Sequence, residues 1–131
     1  ETKYLGRKIA QDLKKGDFLA FYGDLGSGKT TFTQGLAEGL GIKRRITSPT
    51  FIIVRKYNLL ESNFYHIDLY RTQTKEDILG LGIDSLIKDK EDIIALEWAE
   101  KISDFLPEKR IEINFNYLDE NKREIIITKY E

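Results

Sequence analysis

The sequence predicts an α/β fold: a mixed, partly parallel sheet flanked by helices and closed by a C-terminal antiparallel hairpin. Three observations lead there. Several strand-length runs are apolar throughout, the pattern of strands covered on both faces. Segments of helical periodicity lie between them, and the tail alternates apolar with polar residues around a turn.

Taken in order, Leu5, Ile9 and Leu13 recur every four residues in a segment that ends at Gly16, the pattern of an amphipathic helix with a glycine stop. Phe18-Leu19-Ala20-Phe21-Tyr22 is an apolar run of strand length, followed at once by the loop Gly23-Asp24-Leu25-Gly26-Ser27-Gly28-Lys29-Thr30. Phe32, Leu36, Ala37 and Leu40 then keep helical spacing until Gly39 and Gly41 end it. The order is strand, glycine loop, helix. Phe51-Ile52-Ile53-Val54 and Phe64-Tyr65-His66-Ile67-Asp68 read as strands, and Ile78, Leu79, Ile83, Leu86 and Ile87 as short helical pieces interrupted by Gly80 and Gly82. Asp92-Ile93-Ile94-Ala95-Leu96-Glu97 is a further buried-strand run. Ile111 to Phe115 and Glu124 to Thr128 alternate around the turn-like Asp119-Glu120-Asn121, which predicts the terminal hairpin.

At 131 residues the chain has the length of one domain, residues 1–131. Apolar residues are 40% and charged residues 33% of it, with 7 Phe and 7 Tyr, which is enough to build a core. No run approaches the roughly 18 apolar residues of a membrane helix, and no basic-then-apolar leader is visible, so a soluble, cytoplasmic protein without a membrane partner is expected. With no Cys and 1 His, disulfides, thiolate nucleophiles and zinc centres are excluded; a metal here is a hard, oxygen-bound one. The net charge of −1 hides an asymmetry: residues 1–65 carry +5 and residues 66–131 carry −6. An anion-binding face belongs to the first half.

The run Gly23 to Thr30 matches G-x-x-x-x-G-K-[ST] in the required context of strand before and helix after. Gly23, Gly26 and Gly28 let the backbone turn its N–H groups inward at a helix N-terminus, where unpaired donors and the helix dipole favour phosphate. Lys29 supplies a point charge to the β- and γ-phosphates, and the Thr30 hydroxyl is placed to ligate Mg²⁺. Asp24, Leu25, Gly26, Ser27, Gly28, Lys29, Thr30 and Thr31 are therefore the nucleotide-binding candidates, and the fold expected is that of a P-loop NTPase. Chance would produce such a match in roughly half a per cent of chains of this length, given glycine near 7% of residues.

Nucleotide chemistry also needs a carboxylate at the end of another apolar strand, to hold Mg²⁺ directly or through water. Glu97 and Asp68 both end such strands, where ligands of parallel sheets collect. The division of labour read here has Glu97 anchor the Mg²⁺ water shell while Asp68 orients or deprotonates the attacking water, with the reverse as the alternative. Thr47-Ser48-Pro49-Thr50-Phe51 is a hydroxyl-rich loop that Pro49 biases toward extended geometry. Ser48 and Thr50 thereby become candidates for a γ-phosphate switch, with an ordinary polar turn as the alternative. Arg71 reads as a transition-state charge or a solvated arginine, His66 as a core histidine more readily than a proton shuttle, and Trp98 as packing or recognition. Lys43-Arg44-Arg45 reads as a solvated face, or as a dock for tRNA or protein. Two decoys are set aside, and guanine nucleotides with them. Asn121-Lys122-Arg123-Glu124 imitates the guanine-reading N-K-x-D but lies in the hairpin turn, and Asp77-Ile78-Leu79-Gly80 imitates D-x-x-G within a helical stretch.

Gly23 to Thr31, Ser48-Pro49-Thr50-Phe51, His66-Ile67-Asp68-Leu69-Tyr70-Arg71 and Glu97-Trp98, in this order and spacing, resemble the bacterial TsaE (YjeE) family, small ATPases of tRNA threonylcarbamoyladenosine synthesis. The resemblance implies a low-activity ATPase that works with a TsaB–TsaD pair and meets tRNA through it. By matching motifs it implies that Thr30 and Glu97 contact Mg²⁺, that Lys29 and Asp68 serve catalysis, and that Ser48-Pro49-Thr50 is the switch. Trp98 is then at the nucleotide site or the partner surface. Phe51 stands where tyrosine is also common. Two other functions compete: a small-molecule kinase, disfavoured because no arginine-rich lid is visible, and a non-hydrolytic, nucleotide-gated binding subunit.

Overall fold

In the computed structural model, which describes residues 2–23, 28–43 and 54–130 with the Lys75 side chain excepted, six strands form one sheet in the order β2-β3-β4-β1-β5-β6. The strands are β1 (Phe18–Tyr22), β2 (Val54–Asn58), β3 (Asn63–Asp68), β4 (Ile93–Glu97), β5 (Arg110–Asp119) and β6 (Lys122–Tyr130). β3, β4, β1 and β5 run parallel, while β2 and β6 close the two edges antiparallel. The α/β mixed sheet and the C-terminal hairpin β5–β6 are as the sequence predicts. Of the strand predicted at 51–54, Val54 is the first residue of β2, and residues 51–53 lie outside the described residues.

Helices cover both faces. α1 (Thr2–Ala10) and α2 (Lys29–Gly39) lie on one; α3 (Lys75–Leu79), α4 (Ile83–Asp89) and a 3-10 stretch (Ala99–Phe105) lie on the other. Alternate residues of the central strand feed the two cores: Leu19 and Phe21 the first, Phe18 and Ala20 the second. This is why β1 reads as continuously apolar. Phe21, Phe32 of α2 and Phe115 of β5 meet edge-to-face at centroid distances of 5.7, 5.5 and 5.4 Å, which anchors the start of α2 onto the sheet. No helix among the described residues is long and apolar enough to cross a membrane.

α1 ends at Ala10 and continues as turns to Gly16 instead of a helix running to that glycine. Its packing depends on glycine for a different reason. A Cβ on Gly6 of α1 would sit 2.8 Å from the Leu36 nitrogen, and a Cβ on Gly39 of α2 2.7 Å from the Arg7 carbonyl oxygen. The two helix backbones touch there, so side chains are excluded. Gly41 is the true stop: with φ +85° it lets Ile42 N donate to Ala37 O at 2.9 Å and Gly41 N to Glu38 O at 3.1 Å, a Schellman cap. Asp77, the decoy carboxylate, has a local role. Thr74 and Asp77 form a capping box at the start of α3.

Candidate functional site

Register decides which strand ends meet. β1 pairs with β4 so that Phe21 lies opposite Glu97, and β4 pairs with β3 so that Glu97 lies opposite Asp68. The two carboxylates therefore end adjacent strands, one and two places from the strand that feeds the phosphate loop. Gly28, left-handed at φ 104°, precedes α2 and offers no side chain to cap the first N–H groups of that helix. Asp24, Leu25, Gly26 and Ser27 lie outside the described residues, as do Arg44, Arg45 and the whole Ser48-Pro49-Thr50 segment.

Lys29 is only 5% exposed. Its ammonium donates to the Gly23 carbonyl at 2.6 Å and rests 4.7 Å from the centre of the Trp98 ring. The lysine thus folds back on its own loop, held by a carbonyl and a π face. Thr30 is half-buried in the first turn of α2, and Thr31 is exposed. Trp98 follows Glu97 directly and takes a left-handed conformation at φ 62°, which turns its ring across the strand ends. Tyr70 stacks on it with centroids 5.2 Å apart.

His66 and Glu97 form a buried pair, 0% and 4% exposed, with Nε2 to Oε2 at 2.5 Å. Since a carboxylate only accepts, the hydrogen-bond network assigns a proton to Nε2. Nδ1 is buried without a partner among the described residues. His66 is a core histidine, as its type suggests, but one attached to a strand-end carboxylate. Asp68 is 8% exposed and accepts from the Tyr70 N–H at 2.9 Å. Burial pushes its carboxyl above the ordinary 3.8; the Tyr70 N–H pulls it down, Glu97 pushes it up, and His66 and Lys29 lower it. On the other flank of β1, burial and then the charge of Glu112 push the Tyr22 hydroxyl up to about 12, so it stays protonated beside the loop.

The raised Asp68 carboxyl has a thermodynamic sign. The folded state holds that proton more tightly than the unfolded chain, so ionisation opposes folding; the penalty is absent below the unfolded value and complete above the folded one. Asp68→Asn keeps an acceptor for Tyr70 N–H and removes the charge. It is expected to raise the Tm of the nucleotide-free chain by about 2–4 °C at pH 7.5, with the gain vanishing near pH 3.5. Thermal melts at the two pH values check this.

Sequence reasoning missed Lys101, whose ammonium meets the backbone after Asp68, and it gave Tyr70 no role. Lys101 has no motif signal, standing four places beyond Glu97 in a segment of no pattern, whereas Tyr70 lies within the His66 to Arg71 block. Arg71 is exposed on the same turn. Lys43 lies at the far end of α2 from Lys29, where it lines a cavity of about 310 Å³ with Gly41, Ile42, Lys56, Tyr57 and Asn58.

Sheet order and flanking helices together define an α/β protein of P-loop NTPase-like fold. A family profile described as "Threonylcarbamoyl adenosine biosynthesis protein TsaE" matches residues 1–125. The chain belongs to the TsaE family. Among its relatives, the tRNA threonylcarbamoyladenosine biosynthesis protein TsaE of Bacillus subtilis is 42% identical over 128 residues, which cover 98% of this chain and 79% of that protein. The proteins of the same name from Rickettsia felis (40% identity; 94% and 71% covered) and Haemophilus influenzae (37% identity; 88% and 75% covered) are also similar. The crystal structure of Bacillus subtilis YdiB superposes with a TM-score of 0.79 at 37% identity, covering 99% of this chain and 79% of that one.

Proposed function

We propose that this chain is a Mg²⁺-dependent ATPase that supports a TsaB–TsaD-like pair in threonylcarbamoyladenosine modification of tRNA in the cytoplasm, meeting tRNA only through that pair. The observation that carries this reading is the convergence of Lys29, at the N-terminus of α2, with Asp68 and Glu97 at the ends of neighbouring parallel strands. Membership of the TsaE family supports the pathway.

The donors fit Mg²⁺. The Thr30 hydroxyl and the Glu97 carboxylate are hard oxygens, and among the described residues no three His, Cys, Asp or Glu side chains converge to hold a metal by themselves. Thr30 and Glu97 would hold such an ion directly or through water. When bound, Mg²⁺ neutralises charge between the β- and γ-phosphates. The backbone donors of Asp24 to Thr31 cradle the phosphates, and Lys29 exchanges the Gly23 carbonyl for a phosphate oxygen. Asp68 orients the attacking water and takes its proton, a task favoured by a carboxyl raised by burial. Ser48 and Thr50 sense the γ-phosphate. Free phosphate and ADP are the expected products, released faster with the partner pair present than absent. Phosphate appearing instead on a metabolite would make the protein a kinase; repeated rounds of tRNA modification with a non-hydrolysable ATP analogue would make it a gated binding subunit.

The sole tryptophan provides a binding assay. Drawing Lys29 from the Trp98 ring to a phosphate removes a cation from its face, so ATP addition is expected to change Trp98 fluorescence saturably. A flat titration at millimolar ATP and Mg²⁺ would count against binding at this site.

A further inference from the structure

The strongest unused feature is a three-way contact on the turn that follows Asp68. The carbonyl oxygens of Leu69, Tyr70 and Thr72 converge on one point, and the Lys101 ammonium, delivered from the 3-10 stretch after β4, donates to them at 2.8, 2.9 and 2.7 Å. An ammonium has three protons, and each finds one carbonyl. We infer that Lys101 is a positioning residue for Asp68, acting through the peptide plane between Leu69 and Tyr70. This rests on the reading of Asp68 as the residue that handles the attacking water.

The oxygen of that plane is Leu69 O, held by Lys101; its N–H is that of Tyr70, which donates to Asp68 Oδ1 at 2.9 Å. A peptide unit is rigid and planar, so fixing its carbonyl fixes the direction of its N–H. Thr72 closes the turn on itself, its N and Oγ1 donating to Leu69 O at 3.0 and 2.6 Å. What Thr72 cannot do is set where the turn sits relative to β4. That is settled by Leu69 N donating to Glu97 O at 3.2 Å and by Lys101, whose own N–H donates to Trp98 O at 3.1 Å. Lys101 thus joins the segment after Asp68 to the segment after Glu97, and holds the two carboxylates in one frame. Without the amine, the Tyr70 and Thr72 carbonyls lose this donor and Leu69 O keeps only those of Thr72, a cost relieved by rotating peptide planes away. Rotation of the Leu69–Tyr70 plane takes the N–H from Asp68.

The chemistry is specific to a compact ammonium. An Arg guanidinium keeps the charge, but its planar fork cannot place three protons at one point. Lys101→Met and Lys101→Arg are both expected to lower kcat for ATP hydrolysis by about 10- to 100-fold, the cost of displacing a catalytic group by about 1 Å. ATP affinity, read from Trp98 fluorescence, stays within about threefold. In the nucleotide-free variants the Tyr70 amide exchanges faster with solvent, and methylammonium added to Lys101→Ala restores part of the turnover. Combining Lys101→Met with Asp68→Asn lowers turnover no further than Asp68→Asn alone. Wild-type kcat in Lys101→Met alongside an inactive Asp68→Asn overturns the inference; if Lys101→Met fails to fold, wild-type kcat in Lys101→Arg does the same. Wild-type turnover in Asp68→Asn overturns instead the reading of Asp68, and the Tyr70 amide then still judges the clamp: unchanged exchange in Lys101→Met removes it.

Discussion

Asp68→Ala is expected to bind ATP as the wild type does and to hydrolyse it about 10²- to 10⁴-fold more slowly, the usual span for a positioned general base. Lys29→Ala is expected to lose binding and hydrolysis together. The contrast follows from position. Lys29 begins α2, where in the proposed mechanism its charge acts on ground-state phosphates, while Asp68 ends β3 two strands away and in that mechanism acts on what approaches them. Asp68 is also costly to keep ionised. Burial raises its carboxyl and Glu97 faces it across the register, so the site holds a charge that a protein selected for stability alone would discard. Calorimetric titration with ATP, paired with phosphate release in the presence of the partner pair, separates the two variants; Lys29→Ala removes the cation that gives Trp98 its signal, so fluorescence does not serve for it. Wild-type hydrolysis by Asp68→Ala would remove Asp68 from the mechanism.

Gly35→Ala is expected to be the most destabilising single-methyl change in α2. A Cβ at Gly35 would lie 1.9 Å from the Lys3 carbonyl oxygen, which is backbone of α1 and cannot swing aside. Relief requires α1 to shift as a unit, breaking its contacts at Gly6 and Gly39 as well. The cost is about 3 kcal/mol or more, at the upper end of overpacking penalties. Gly41→Ala is the control: among the described residues its Cβ would meet nothing within 4 Å, and the positive φ penalises it, by about 1–2 kcal/mol. Urea melts of the two variants give the order directly, and equal midpoints would mean that α1 and α2 do not touch along their backbones. The surface pairs of Glu38 with Lys3 and Arg7, at 3.2 and 3.1 Å, cannot make up the loss, since their side chains are nearly half exposed. The consequence reaches the site, because α1 begins beside the phosphate loop: the Thr2 methyl carbon is 3.6 Å from where a Gly28 Cβ would lie.

The amino-acid sequence by itself determined the class of fold and the order of its elements, and it nominated the segment proposed to bind phosphate. Those follow from local rules: two-sided burial makes β1 and β4 continuously apolar, period two marks β5 and β6, and the loop from Gly23 to Thr30 needs particular residues at particular spacings. It also nominated Asp68 and Glu97, since both end apolar runs. Which strands lie side by side was decided only in the folded chain. The order β2-β3-β4-β1-β5-β6 sets Glu97 beside the loop-bearing strand and Asp68 one strand further, and no local pattern encodes strand order. The same holds for the His66–Glu97 pair, the Lys29–Trp98 contact, the glycine seam between α1 and α2, and the Lys101 clamp. Each joins residues distant in the chain through distances of a few ångströms. A lone lysine or an interior helical glycine looks ordinary in sequence until packing brings three carbonyls, or another backbone, against it.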